Sequence, residues 1–168
     1  MIHGSDPFAT PESARSQVRR LRGRFAQTVT LWTAPGPAGL TVSSSLVADG
    51  EPGTMLGLID EESDLWAAAS GAGVFAVSLL APPDRQLADR FAGLAPAPGG
   101  LFKQGESWLE TGFGPVPADR PWVGCRLQAS RPVGWSLLVE GAIAEMHLPE
   151  GSELLLHHRG TYRSLDES

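Results

Sequence analysis

Cysteine is almost missing from this chain of 168 residues. Cys125 stands alone, so no disulfide can form within the chain, and a reducing compartment is the simpler expectation. Long apolar runs are also missing, and none reaches the ~18 residues that a membrane-spanning helix needs. The first residues show no basic stretch leading into an apolar one, as a secretory signal would. A cytoplasmic protein with no membrane contact is expected. Basic residues are outnumbered, 13 against 19 acidic, for a net charge of −6. A nucleic-acid-binding surface is normally basic, so no nucleic-acid partner is expected. A small anion is still compatible, because a local pocket can oppose the global sign. The chain also has no G-x-S-x-G elbow and no Walker-type loop. Gly71-Ala72-Gly73 precedes a strand pattern and opens no helix, which argues against a dinucleotide fingerprint.

What is present is ordinary for one globular domain: 42% apolar and 19% charged residues, with enough length for a substantial core. Residues 1–9 are polar and unpatterned and read as a flexible tail, leaving 10–168 as a single domain. Thr10 offers a helix cap with Pro11 and Glu12 behind it. The helix is predicted to run to about Phe25, with Val18, Leu21, Arg22 and Phe25 along one face. Arg15, Arg19, Arg20, Arg22 and Arg24 make its other faces basic, which reads as a solvated surface.

From Thr28 the texture changes to period-two alternation rich in β formers, through Thr33. The turn Ala34–Gly39 predicts a hairpin whose second strand is Leu40–Val42. Thr54–Ile59 is a nearly continuous apolar run, as in a strand buried on both faces. Leu65–Ala69 reads as a short helix, Val74–Leu80 as a strong strand, and Asp84–Phe91 as a helix after Pro82-Pro83. Leu94–Gly105 reads as a loop and Glu106–Thr111 as a short strand. Pro121–Ser130 and Trp135–His147 are longer strands, and Glu153–His158 and Thr161–Leu165 close the chain. Many strands with frequent turn signals and few helices predict a mainly β (α+β) barrel with helical decoration.

The stretch richest in candidate chemistry is Gly39–Ser45, which carries four hydroxyls between Thr41 and Ser45. Small hydroxyls and bare N–H groups can hold an anion closely, although such clusters also mark turns. Glu61, Glu62 and Asp64 fit the first turn of a helix by compensating its dipole and would oppose a nearby phosphate. Ser63 is the residue there that could help one. His157 and His158 are adjacent on a strand and point to opposite faces. With His3 and His147 isolated, no metal site is expected.

The order of these pieces resembles the flavin reductase-like family, whose members fold as an FMN-binding split β-barrel. Four segments carry the resemblance: Gly23–Thr30, Gly39–Ser45, Gly73–Leu80 followed by Leu87–Phe91, and Leu154–Tyr162. The resemblance implies a homodimer that binds FMN, or FAD, near the subunit interface. It implies reduction of that flavin by NADH or NADPH, with electrons often passed to a partner monooxygenase. By position, Thr41, Val42, Ser43, Ser44 and Ser45 would cradle the flavin, and Ile59, Asp60 and Ser63 would lie by its phosphate. Ser78 and Leu79 would face the ring, with Arg90 and Phe91 close by. Trp135, His158 and Tyr162 would line the nicotinamide pocket. Trp135 stands where the family commonly has a histidine, and it can stack on a ring, block the nicotinamide, or simply pack. Three functions follow: an NAD(P)H:flavin oxidoreductase, a flavin-binding module without nicotinamide turnover, or a structural dimer with a decayed pocket.

Overall fold

The structure is a computed structural model that describes residues 12–151 and 153–165, with side chains from residue 17 onward. The expected tail over residues 1–9, together with Thr10 and Pro11, lies outside the described residues. Helix α1 spans Glu12–Gly23 and leads into β1 (Gln27–Thr28) and β2 (Thr30–Ala34). After the hairpin come β3 (Ala38–Val42), β4 (Ser45–Ala48) and β5 (Thr54–Ile59). Helix α2 (Asp64–Ala72), β6 (Val74–Leu79), a 3-10 turn at Pro82–Asp84 and α3 (Arg85–Phe91) follow. The short strands β7 (Trp108–Leu109) and β8 (Val116–Pro117) pair with each other. The long strands β9 (Trp122–Val133) and β10 (Ser136–His147) precede β11 (Leu155–His158) and β12 (Thr161–Ser164). The sequence reading anticipates most of these elements but assigns neither β4 nor β8.

Seven strands form one antiparallel sheet in the order β3-β2-β6-β9-β10-β5-β4, and β1-β11-β12 form a second, smaller one. The order of the large sheet has a geometric consequence. β3 and β4 stand at opposite ends of it, yet only Ser43 and Ser44 separate them in sequence. Three residue steps span at most roughly 11 Å. The sheet therefore curls until its two edges meet, and the serines lie on the seam. Register shifts in the β9–β10 ladder, at Glu140/Gly141 and at Ile143/Glu145, supply bends of the kind β-bulges introduce.

The interior of the curled sheet is the principal core. Trp32 and Phe75 stack there with centroids 4.8 Å apart and planes 8° from parallel, among Val42, Ile59, Leu65, Val77 and Val139. Gly57 makes room for this pair, since a Cβ at that position would lie 2.3 Å from the Trp32 ring. A second cluster joins Val29, Leu31, Leu80, Leu155 and the inner face of α3, Leu87, Ala88 and Phe91.

The run Thr54–Ile59 departs from its expectation. Met55, Gly57 and Ile59 are buried while Thr54, Leu56 and Leu58 are only half-buried. The strand is covered by the core on one face and leaves an apolar face partly uncovered. Helix α1 departs in a similar way, for Val18, Leu21 and Phe25 are all exposed, Phe25 to 62%. No helix among the described residues is long and apolar enough to cross a membrane.

Candidate functional site

The seam between β3 and β4 opens into a groove of about 580 Å³, within the range of small-molecule sites. Its floor is the half-buried face of β5 (Leu56 and Leu58), with Gly57 between them and Leu138 of β10. Phe25–Thr28, Leu46 and Val133 complete its lining. Ser43, Ser44 and Ser45 run along its rim, and Arg22 and Arg131 bring two guanidinium groups into it. Among the described residues no carboxylate lines the groove, although acids outnumber bases in the chain as a whole.

The hydrogen bonding of the rim decides what it offers a ligand. Thr30 donates its hydroxyl proton to the Val42 carbonyl (2.6 Å) and accepts from the Trp32 indole N–H (3.1 Å). Its Oγ1 also lies 3.2 Å from Ser45 Oγ. Thr30 has only one proton and has already given it, so Ser45 must be the donor in that contact. Ser45 therefore turns lone pairs toward the groove and can accept from a ring N–H. The backbone of Ser44 is pinned, because its carbonyl accepts from Leu58 N–H at 3.0 Å. Its Oγ lies 3.5 Å from the Arg22 guanidinium, a long contact that leaves the hydroxyl proton available to a carbonyl or phosphate oxygen. The side chains of Ser43 and Arg131 make no hydrogen bond or ion pair with another described residue.

Of the residues expected from sequence to form the site, the groove gathers these three serines. Thr41 points the other way, its hydroxyl donating to the Ala88 carbonyl at 2.7 Å. Val42 and Ile59 are buried in the principal core. Ser63 caps α2: its Oγ accepts from Trp66 N–H (3.2 Å) and donates to the Asp60 carbonyl (2.7 Å), while the Asp60 carboxylate takes the N–H of Glu62 (2.9 Å). These contacts use the hydroxyl that was to have met a phosphate. Ser78 is fully buried in β6, with no hydrogen-bond partner for its hydroxyl among the described residues. Leu79 is tied to Pro121 through its backbone N–H. Arg90 is paired with Glu106, and Phe91 packs edge-on against Phe102 and Trp108.

None of the three residues expected around a nicotinamide is among those lining the groove. Trp135 is 54% exposed at the tip of the β9–β10 hairpin. His158 is half-buried on β11. The Tyr162 hydroxyl donates to the Asp89 carboxylate at 2.5 Å; burial, and then this bond, push its ionisation above the usual tyrosine value. Cys125 is fully buried, and desolvation pushes its thiol up to about 12, so it stays protonated and inert.

Sequence reasoning missed Arg22, Phe25, Leu56, Leu58, Arg131 and Val133 as groove residues. A signal was available for the leucines. Their strand alternates around a glycine, and the half of its pattern not claimed by the core was left facing something else.

Comparison with known proteins agrees with this fold. Residues 22–166 match the model of the flavin reductase like domain. The chain is 31% identical over 140 residues to a Rhodococcus erythropolis NADH:FMN oxidoreductase, covering 80% of this chain and 71% of that one. It is 29% identical over 145 residues to the reductase component of 4-hydroxyphenylacetate 3-monooxygenase from Thermus thermophilus, covering 84% and 91%. Among solved structures, the Streptomyces globisporus NADH:FAD oxidoreductase in complex with NAD and FAD fragments superposes with a TM-score of 0.82. It is 22% identical, covering 95% of this chain and 99% of that chain. Such structures share the mostly antiparallel split barrel that the strand order here requires. The family match over most of the chain settles the assignment: the protein belongs to the flavin reductase-like family.

Proposed function

We propose that the chain is an NAD(P)H:flavin oxidoreductase that holds FMN, or FAD in its place, in the seam groove and hands reduced flavin or its electrons to a partner monooxygenase. One observation carries this reading. The groove combines an apolar floor, three serine hydroxyls and two guanidinium groups, which suits a ligand that is flat and apolar at one end and anionic at the other. Flavin, when bound, supplies the two-electron chemistry, so the protein needs to bind and orient rather than act as acid or base.

The residues divide the task by their hydrogen-bonding state. Leu56, Leu58, Leu138 and Phe25 supply the apolar surface for a ring system. Ser45, with its proton committed to Thr30, accepts from a ring N–H, while Ser44 and Ser43 donate to carbonyl or phosphate oxygens. Arg22 and Arg131 provide the positive charge that a phosphate needs. The relatives' names, NADH:FMN oxidoreductase and monooxygenase reductase component, support the nicotinamide reductant and the monooxygenase partner. The exposed apolar residues bordering the groove, Phe25, Leu46 and Val133, fit a second copy of the chain laid over its open side, hence a homodimer. The solitary, buried thiol of Cys125 is consistent with the reducing cytoplasm.

A second reading, a flavin carrier without nicotinamide turnover, is favoured by Trp135. It occupies the hairpin position where the family commonly has a histidine, and it extends beyond the groove lining. Titrating FMN into the full chain, then adding NADH or NADPH without oxygen, separates the readings. The reductase binds FMN and its yellow colour bleaches; a carrier binds and stays yellow. Ser43→Glu should weaken FMN binding at least about 100-fold by placing a carboxylate against carbonyl or phosphate oxygens. Unchanged affinity would move the flavin out of this groove.

A further inference from the structure

A second groove, of about 570 Å³, lies at the C-terminal end of α1. It is lined by Arg19, Arg20, Gly23, Arg24 and Arg159. Four arginines line it and, among the described residues, no carboxylate does. The chain as a whole carries a net charge of −6. None of the four makes an ion pair or side-chain hydrogen bond with another described residue. The helix dipole accounts for arginines in the last turn of α1. It does not account for Arg159, which comes from the β11–β12 turn.

Arg159 is held there by the backbone. Its N–H donates to the carbonyl of Gly23 at 2.8 Å, tying the turn to the end of α1. Arg159 and Gly160 both have positive φ, 53° and 77°, as in the tight hairpin turn whose first position prefers Asn, Asp or Gly. An arginine in that conformation is disfavoured by its own Cβ. The turn therefore carries a residue ill suited to its backbone but well placed to complete a ring of positive charge.

We propose that this groove binds the phosphates of a dinucleotide, through bidentate guanidinium contacts of the kind arginine makes with phosphate. That the source is a dinucleotide rests on the flavin reductase reading; the anion site itself does not. The two grooves are lined from the same segment, for Arg22 and Phe25–Thr28 line one while Arg19, Arg20, Gly23 and Arg24 line the other. A dinucleotide with its ring system in the seam can so direct its phosphate-bearing half toward the arginines. Two sources share this chemistry: the diphosphate of FAD or NADH, and the additional 2′-phosphate of NADPH.

Calorimetric titration of the full chain with inorganic pyrophosphate tests the site directly. Binding should weaken as salt rises. It should fall about tenfold in Arg159→Gly, the loss of one charge-assisted contact. Glycine suits the turn, so that variant should melt no lower than the parent. Arg126→Gln, an exposed arginine outside the groove, should leave the affinity unchanged. Competition then identifies the source: adenosine 2′,5′-bisphosphate displacing pyrophosphate better than ADP points to NADPH, and the reverse to FAD or NADH. Absence of pyrophosphate binding at low salt, or an equal loss in Arg126→Gln and Arg159→Gly, would overturn the proposal. If FMN still bound in the seam, the flavin reading would stand without it.

Discussion

The seam groove and the region around α3 contain similar side chains in different states of commitment. Around α3, the Thr41 hydroxyl is given to Ala88, Tyr162 to Asp89, Arg90 to Glu106, and Arg120 to Asp84 through two nitrogens at 2.6 and 3.0 Å. At the seam, Ser43 and Arg131 engage no other described side chain, and Ser44 keeps its proton. Hydroxyls and guanidiniums in the first region fasten a helix and a loop to the sheet. Those in the second are held in place by their backbones and retain bonding capacity. Composition cannot separate the two, because the residue types are the same. The fold separates them by what lies within 3 Å.

This contrast makes opposite demands on mutants. The largest effect is expected from Glu106→Gln, which leaves the Arg90 guanidinium largely buried without its counter-charge. Removing one partner of a fully buried pair costs about 3–5 kcal/mol. With the Glu106 side chain 22% exposed, about 2 kcal/mol is the expectation, or a fall in melting temperature of roughly 4–8 °C. FMN affinity should be unchanged. A loss of affinity without a loss of stability would place Arg90 in the binding site and erase the distinction between the regions.

A smaller effect sharpens the same point. Ser63→Ala removes the cap of α2 and should lower stability by about 1 kcal/mol, again with FMN binding intact. Were Ser63 to contact a bound phosphate, the affinity would fall while the melting temperature barely moved. Measuring both quantities on one preparation distinguishes cap from ligand contact.

The barrel was legible in the sequence because it rests on patterns that repeat. Period-two alternation from Thr28, the hairpin turns and the apolar run of Val74–Leu80 each specify a strand, and their order matches a known family. β4 was not legible: Ser45–Ala48 shows little alternation, and it is a strand because it pairs with β5 at the edge of the sheet. The serine rim was legible as a cluster of hydroxyls. Its direction was not, since Thr41 and Ser43 are two residues apart, yet the Thr41 hydroxyl is bonded to Ala88 while Ser43 lines the groove. Ser63 illustrates the limit most plainly. A serine ahead of a short helix serves a cap and a phosphate site equally well in sequence, and the bonds to Asp60 and Trp66 are those of a cap. Arg22 and Arg131 are 109 positions apart by their numbering (131 − 22) and meet only because the sheet closes.

Hydrogen–deuterium exchange of the full chain with and without FMN tests the central claim, that the seam and not the α3 region holds the flavin. Protection should appear in 43–46, 56–58 and 131–138. Segments 60–66, 78–80 and 88–91 should exchange as they do without ligand. Protection concentrated in those three segments, with the seam unchanged, would contradict the account.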